Sequence, residues 1–222
     1  MSTDVIVSSF DPICIVGGAR IGNSEIQCLS RIVGQFVAAD GGADHLLAAG
    51  VTPAAVIGDL DSLSPAARVT FARQLWHIPE QDTTDFEKTL CRVAAPWILA
   101  LGFTGGRMDH ALAVLNVLAR YRDRAVVLLD SDDASFVAAD GPMSLGLPVG
   151  SRISLMPLAD VRVTATGLRW PLDDRAMHPT GTISASNEVA QPQVHIHSTG
   201  PLLITLPRAH LAAILTDVAP AE

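Results

Sequence analysis

Lysine is all but missing from this 222-residue chain, where Lys88 is the only one. That excludes a Walker-A phosphate loop, whose lysine must close a glycine-rich turn, because Lys88 lies in DFEKTL. Glutamate is scarce as well, since 18 of the 23 acidic residues are aspartate. Short-armed aspartate suits turns, helix caps and hard cations. Basic residues are outnumbered 15 to 23, and the net charge of −8 argues against a nucleic-acid partner or an anionic membrane surface. The three cysteines (Cys14, Cys28 and Cys91) are far apart and include no Cys-x-x-Cys pair. Buried, reduced thiols are expected from them, not zinc or dithiol chemistry. No apolar run can span a bilayer; the longest, residues 93–106, is broken by Pro96 and three glycines. The N-terminal segment has no basic stretch and carries Asp4 and Asp11, unlike a signal peptide, so a cytoplasmic location is expected. No Gly-x-Ser-x-Gly elbow exists for a serine hydrolase.

What is present is apolar sequence with two kinds of order. Hydrophobic residues make up 49% and charged residues 17%, which supports a buried core and excludes wholesale disorder. Runs at 13–18, 36–40, 54–59, 97–103 and 125–130 are apolar nearly throughout, as parallel strands covered on both faces should be. Between them, 24–32, 42–50, 64–75, 84–94 and 108–121 carry helical signals. Ser64-Pro65 supplies an N-cap and a first-turn proline, and Thr84-x-x-Glu87 reads as a capping box. Beyond about 133 the runs 135–140, 152–158, 161–168, 181–189, 193–200 and 201–208 are short, β-branched and separated by turn residues. Helical spacing returns only in the last dozen residues. The expected fold is therefore α/β plus all-β. Residues 1–132 form a parallel sheet with helices on both faces, and residues 133–222 form a small β-sandwich.

Ligands of open parallel sheets sit at the carboxyl ends of the strands, and there the acids gather. Asp40 ends one run ahead of Gly41-Gly42, Asp59 and Asp61 follow another in GDLDS, Asp82 and Asp85 open a helix, and Asp109 follows a fourth run. Such like charges repel unless a cation lies among them. An all-carboxylate set without histidine or cysteine suits a hard ion, Mg²⁺ first. Magnesium commonly accompanies a polyphosphate. The glycines of GFTGGR, Gly105 and Gly106 among them, offer N–H groups to an anion, with Arg107 beside them and Lys88 one turn beyond Asp85.

These residues carry a resemblance. AADGGADHLLAAGVTPAAVIGDLDSL, QDTTDFEKTL and GFTGGRMDHALAVLNVL resemble, in order and spacing, three signature blocks of thiamine pyrophosphokinases. GLRWPL and TISASNE resemble that family's C-terminal pocket motifs. The resemblance, over residues 37–188, implies homodimers with active sites between subunits. It also implies transfer of a diphosphate from Mg-ATP to the hydroxyl of thiamine, leaving AMP. It places Asp40, Asp59, Asp61 and Asp85 at the metal and triphosphate, and Gln81, Asp82 and Lys88 beside the nucleotide. It puts Arg107 and Asp109 in a loop facing both ATP and the thiamine alcohol. Trp170 is implied to stack on thiamine in the partner subunit's site, with Ser184, Ser186 and Asn187 in the polar pocket segment. One departure is Gln81-Asp82, where many bacterial members carry Lys-Asp.

Two other readings stay open at this level. VIGDLDS also fits a haloacid-dehalogenase-like phosphatase with Asp59 as nucleophile, although only Lys88 could serve as its lysine. A non-catalytic thiamine- or nucleotide-binding protein could use the same fold. His195 and His197 alternate on one run without a third ligand, so no zinc site is expected there.

Overall fold

The computed structural model describes residues 4–138 and 141–218, and the chain divides into two compact units between Val117 and Leu118. The first unit contains β1 (Val7–Ser8), β2 (Ile13–Val16), α1 (Asn23–Leu29), β3 (Gln35–Ala39), α2 (Gly42–Ala48) and β4 (Ala55–Gly58). It continues with α3 (Pro65–Thr70), β5 (Leu75–His77), α4 (Asp85–Leu90), β6 (Val93–Ala94), β7 (Ile98–Leu101) and the start of α5 (Met108–Arg120). Strands β7-β2-β3-β4-β5 lie side by side and parallel. Every residue of β2, β4 and β7 is buried. Successive side chains on a strand point to opposite faces, so both faces of the sheet are covered. β1 and β6 form a separate parallel pair.

Local chemistry explains the helix starts. Ser64 Oγ accepts from Ala67 N at 3.1 Å with Pro65 in the first turn of α3, and Thr84 Oγ1 accepts from Glu87 N at 3.3 Å at the head of α4. α3 is shorter than its 64–75 signal, because the chain turns after Thr70 and Leu75 enters β5. β5 had no apolar signature: it is an edge strand with Trp76 and His77 exposed, and its place is set by pairing with β4.

The second unit holds β8 (Val126–Leu129), β9 (Asp133–Val137), β10 (Gly141–Gly146), β11 (Arg152–Pro157), β12 (Val161–Thr166) and β13 (Leu172–Met177). β14 (Ser184–Glu188), β15 (Gln193–Ser198), β16 (Leu202–Pro207), a 3₁₀ turn at Arg208–His210 and α6 (Leu211–Asp217) complete it. β14-β11-β16-β9-β8 and β10-β15-β12-β13 are antiparallel sets. β12 and β15 bury alternate residues, as strands with one covered face do. The run 125–130, expected as a parallel strand, pairs antiparallel with β9. Only Asp130, Ser131 and Asp132 separate the two strands, far too few for a parallel crossover. The end of the 135–140 run lies outside the described residues.

β13 also escaped sequence reading, because LDDRAM has no alternation. It is a polar edge strand tied to β12 by Arg162, whose Nε donates to Asp174 Oδ1 at 2.6 Å. Among the described residues no helix is long and apolar enough to cross a membrane.

Candidate active site

Asp40 stands immediately after β3 with φ +43°, a left-handed conformation rare outside glycine. Gly42 is required behind it, because a Cβ there would lie 1.9 Å from the Val16 carbonyl oxygen. Asp40 is 4% exposed. Its Oδ2 accepts from Ser62 N at 3.3 Å, while Oδ1 is buried without any hydrogen-bond partner. Burial raises the Asp40 pKa; Ser62 opposes the shift and the charge of Asp85 adds to it.

Leu60, between the two acids of GDLDS, also adopts a left-handed φ of +64° and is buried. The Arg68 guanidinium on α3 donates to its carbonyl. Carboxylate oxygens of Asp40, Asp59 and Asp61 all fall within 4.8 Å of one another. Asp59 Oδ2 accepts from Gln81 Nε2 at 2.9 Å and Oδ1 from Asp61 N at 3.2 Å, and the Gln81 bond chiefly holds its pKa below the usual carboxylate range. Ser62 Oγ donates to Asp61 Oδ1 at 2.8 Å.

α4 delivers Asp85 and Lys88. The Lys88 side chain is 2% exposed, and its Nζ lies 3.2 Å from Asp85 Oδ1. A Cβ on Gly58 would come 2.9 Å from Asp40 Cβ and 3.2 Å from Asp85 Oδ1, so the missing side chain lets the two acids close on the end of β4. Asp82 is placed by the turn before α4, where its N–H and that of Thr83 donate to Glu80 Oε2 at 2.8 and 3.0 Å. The sequence reading passed over Gly58, Glu80 and Arg68. Glu80 alone had a local signal, three residues ahead of a threonine in a turn.

Arg107 and Asp109 form their own exposed pair, with Nε to Oδ1 at 3.1 Å and Nη2 to Oδ2 at 2.5 Å. The Arg107 hydrogen bonds pull the Asp109 pKa down to about 2. Gly105 ahead of them has φ +73°, and a Cβ on Gly106 would sit 3.3 Å from Ala19 Cβ.

In the second unit, Trp170 is 55% exposed with the Arg169 guanidinium carbon 5.0 Å from its ring centre. Asn187 is buried next to it, bonding both its backbone N–H and its carbonyl, and Ser184 Oγ accepts from Asn187 Nδ2 at 3.0 Å. Ser186 has φ +56° and donates its N–H to Ser154 Oγ at 3.0 Å. His195 Nδ1 meets Ser144 Oγ at 2.7 Å on the exposed face of β15. Among the described residues, Asp40, Asp59 and Asp61 are the group close enough to share an ion. Three carboxylates, one of them Asp40 with its unpartnered buried oxygen, are hard donors that fit a divalent cation such as Mg²⁺.

Two family models match this chain. "Thiamin pyrophosphokinase, catalytic domain" covers residues 32–129, and "Thiamin pyrophosphokinase, vitamin B1 binding domain" covers residues 145–203. Thiamine pyrophosphokinase 1 of Oryza sativa subsp. japonica is 32% identical over an alignment of 180 positions, which covers 69% of this chain and 66% of that relative. The match thus spans slightly under two thirds of the relative's length. Among solved structures, thiamin pyrophosphokinase from Geobacillus thermodenitrificans superposes with a TM-score of 0.71 at 26% identity, covering 88% of this chain and 96% of that one. The Candida albicans thiamin pyrophosphokinase shares the fold with a TM-score of 0.78 at 16% identity, covering 92% of this chain and 93% of its own. Matched in order by both models over well more than half its length, this chain belongs to the thiamin pyrophosphokinase family.

Proposed function

We propose that the protein moves a diphosphate group from Mg-ATP to the hydroxyl of thiamine, producing thiamine diphosphate and AMP. The observation that carries this reading is the convergence of Asp40, Asp59 and Asp61, with Asp40 Oδ1 unpartnered, inside the stretch matched by the catalytic-domain model. Attack at the β-phosphorus needs an in-line alcohol and neutralised phosphate oxygens more than a covalent nucleophile. Asp40, Asp59 and Asp61 are assigned to Mg²⁺, which when bound supplies charge neutralisation to the triphosphate; Asp85, expected as a fourth ligand, lies outside that group and pairs with Lys88.

Lys88, Gln81 and Asp82, with the backbone of Gly105 and Gly106, orient the nucleotide. Arg107 faces the phosphates. Asp109, kept ionised by Arg107, accepts the hydrogen bond of the thiamine hydroxyl. Thiamine is a cation, so the exposed Trp170 ring is a suitable platform for it. The segment bearing Ser184, Ser186 and Asn187 completes that pocket. In this reading residues 1–132 handle metal and nucleotide. Residues 133–222, read as a β-sandwich, handle thiamine and dimerisation. Trp170 serves the site of the opposite subunit of a cytoplasmic homodimer.

The phosphatase alternative is weaker, because the lysine it requires beside a phosphoaspartate is paired with Asp85. The test is AMP release from Mg-ATP with and without thiamine. Thiamine-dependent AMP is expected, and ATP left intact in the presence of thiamine and Mg²⁺ overturns the assignment.

A further inference from the structure

We propose that Asn187 is a positioning residue that fixes Trp170 through its backbone and makes no contact with the acceptor itself. A side-chain amide offers one oxygen with two lone pairs and two N–H donors. All four are spent inside the chain. Oδ1 accepts from Trp170 N at 3.2 Å and from Glu188 N at 2.8 Å. Nδ2 donates to Trp170 O at 2.8 Å and to Ser184 Oγ at 3.0 Å. With 2% of its surface exposed, Asn187 has neither a free polar site nor an open path to a ligand.

The surrounding backbone explains why a side chain is needed for this task. Residues 168 and 169 are held to the end of β14 by main-chain contacts, the Leu168–Val189 bridge and a 2.8 Å bond from Arg169 N to Glu188 O. At Trp170 the N–H and carbonyl bond the Asn187 amide, which takes the place of a strand partner. β14 is shaped to present it. Register against β11 shifts between Ile153 and Leu155, paired with Asn187 and Ser184, so β14 carries one extra residue. The left-handed Ser186 lies in that bulge, and bulges of this kind re-aim the neighbouring side chain. The consequence is an exposed indole on a backbone locked at both of its polar groups.

The inference rests on the reading of Trp170 as the thiamine platform, and two measurements separate its failure from that reading's. The first uses protein labelled with 5-fluorotryptophan, which gives ¹⁹F resonances for Trp76, Trp97 and Trp170, with no thiamine present. The near-isosteric Asn187→Asp keeps the acceptor oxygen and loses both donors. It is expected to shift or broaden the Trp170 resonance while those of Trp76 and Trp97 stay in place. An unmoved Trp170 resonance, or equal displacement of all three, overturns the proposal.

The second measurement is a double-mutant cycle in steady-state kinetics. Asn187→Ala alone is expected to raise the thiamine KM by on the order of tenfold or more, the scale of a misplaced binding group, with the ATP KM within about twofold. In a Trp170→Ala background the same change is expected to add less than about twofold, since a residue acting only through Trp170 has nothing left to act on. A full additional loss in that background overturns the proposal in favour of direct contact. If the Trp170 resonance responds but the unmodified protein does not convert thiamine, the clamp stands and the thiamine reading falls.

Discussion

Gln81 Nε2 donates a 2.9 Å hydrogen bond to Asp59 Oδ2 across 22 residues of chain, joining the turn before α4 to the loop after β4. The bond is the main reason that the Asp59 carboxyl sits below its ordinary pKa. A hydrogen bond to an ionised group contributes about 1.5 kcal/mol at the low end, so Gln81→Ala is expected to lower kcat/KM roughly tenfold. The sign of the pH effect follows. Without Gln81 the Asp59 pKa moves back up, the carboxylate protonates at higher pH, and the acid limb of the rate profile shifts to higher pH. A profile measured by AMP release checks both, and an unshifted acid limb would remove Gln81 from the site.

Asp61→Asn and Asp59→Asn should each lower turnover by on the order of 10²-fold or more, the scale set by losing a preorganised charge stabiliser. Both lie on a loop, Asp61 exposed and Asp59 half-buried, so circular dichroism and melting temperature should stay near those of the parent. Near-normal AMP release from folded Asp61→Asn would sink the metal assignment.

Asp40 gives a test that needs no turnover. Burial raises its folded-state pKa, so the metal-free protein is stabilised at low pH and loses that stability as pH rises through the folded-state value. Asp40→Asn is therefore expected to melt above the parent at neutral pH in EDTA. Saturating Mg²⁺ should reverse the order. At a hundredfold excess over Kd a bound ion stabilises by about 2.7 kcal/mol, or roughly 5–10 °C for a chain of this size, and Asp40→Asn should gain much less. Equal gains would argue against Asp40 as a ligand.

Trp170→Ala should raise the thiamine KM by about 30-fold, the equivalent of about 2 kcal/mol for a desolvated cation–π contact, with little change in the ATP KM. Trp170→Phe should recover part of the loss. Sedimentation should give a dimer at assay concentration. Mixing Trp170→Ala subunits with Asp61→Asn subunits should restore activity, because one site of each mixed dimer is then intact. If mixed dimers verified by mass show only the mean of the parents, Trp170 does not act across the dimer.

Continuous apolar runs marked β2, β3, β4 and β7, and Ser64 and Thr84 marked two helix starts, because burial and capping leave periodic, local traces. Asp40, Asp59 and Asp61 were legible for the same reason, since each follows such a run, where a parallel sheet exposes its ligand edge. Edge strands left no such trace. β5 and β13 are held by neighbours, through pairing with β4 and through Arg162 to Asp174.

The sequence by itself thus determined the buried parallel strands, the acids at their ends and the family. Tertiary structure alone decided which polar groups meet. Gly58 allows Asp40 and Asp85 to close together, Gln81 reaches back to Asp59, and a bulge at Ser186 turns Asn187 onto the backbone of Trp170. Such contacts join residues distant in the chain through one or two hydrogen bonds or a single missing Cβ. They have no period, and only the folded backbone brings the partners within reach.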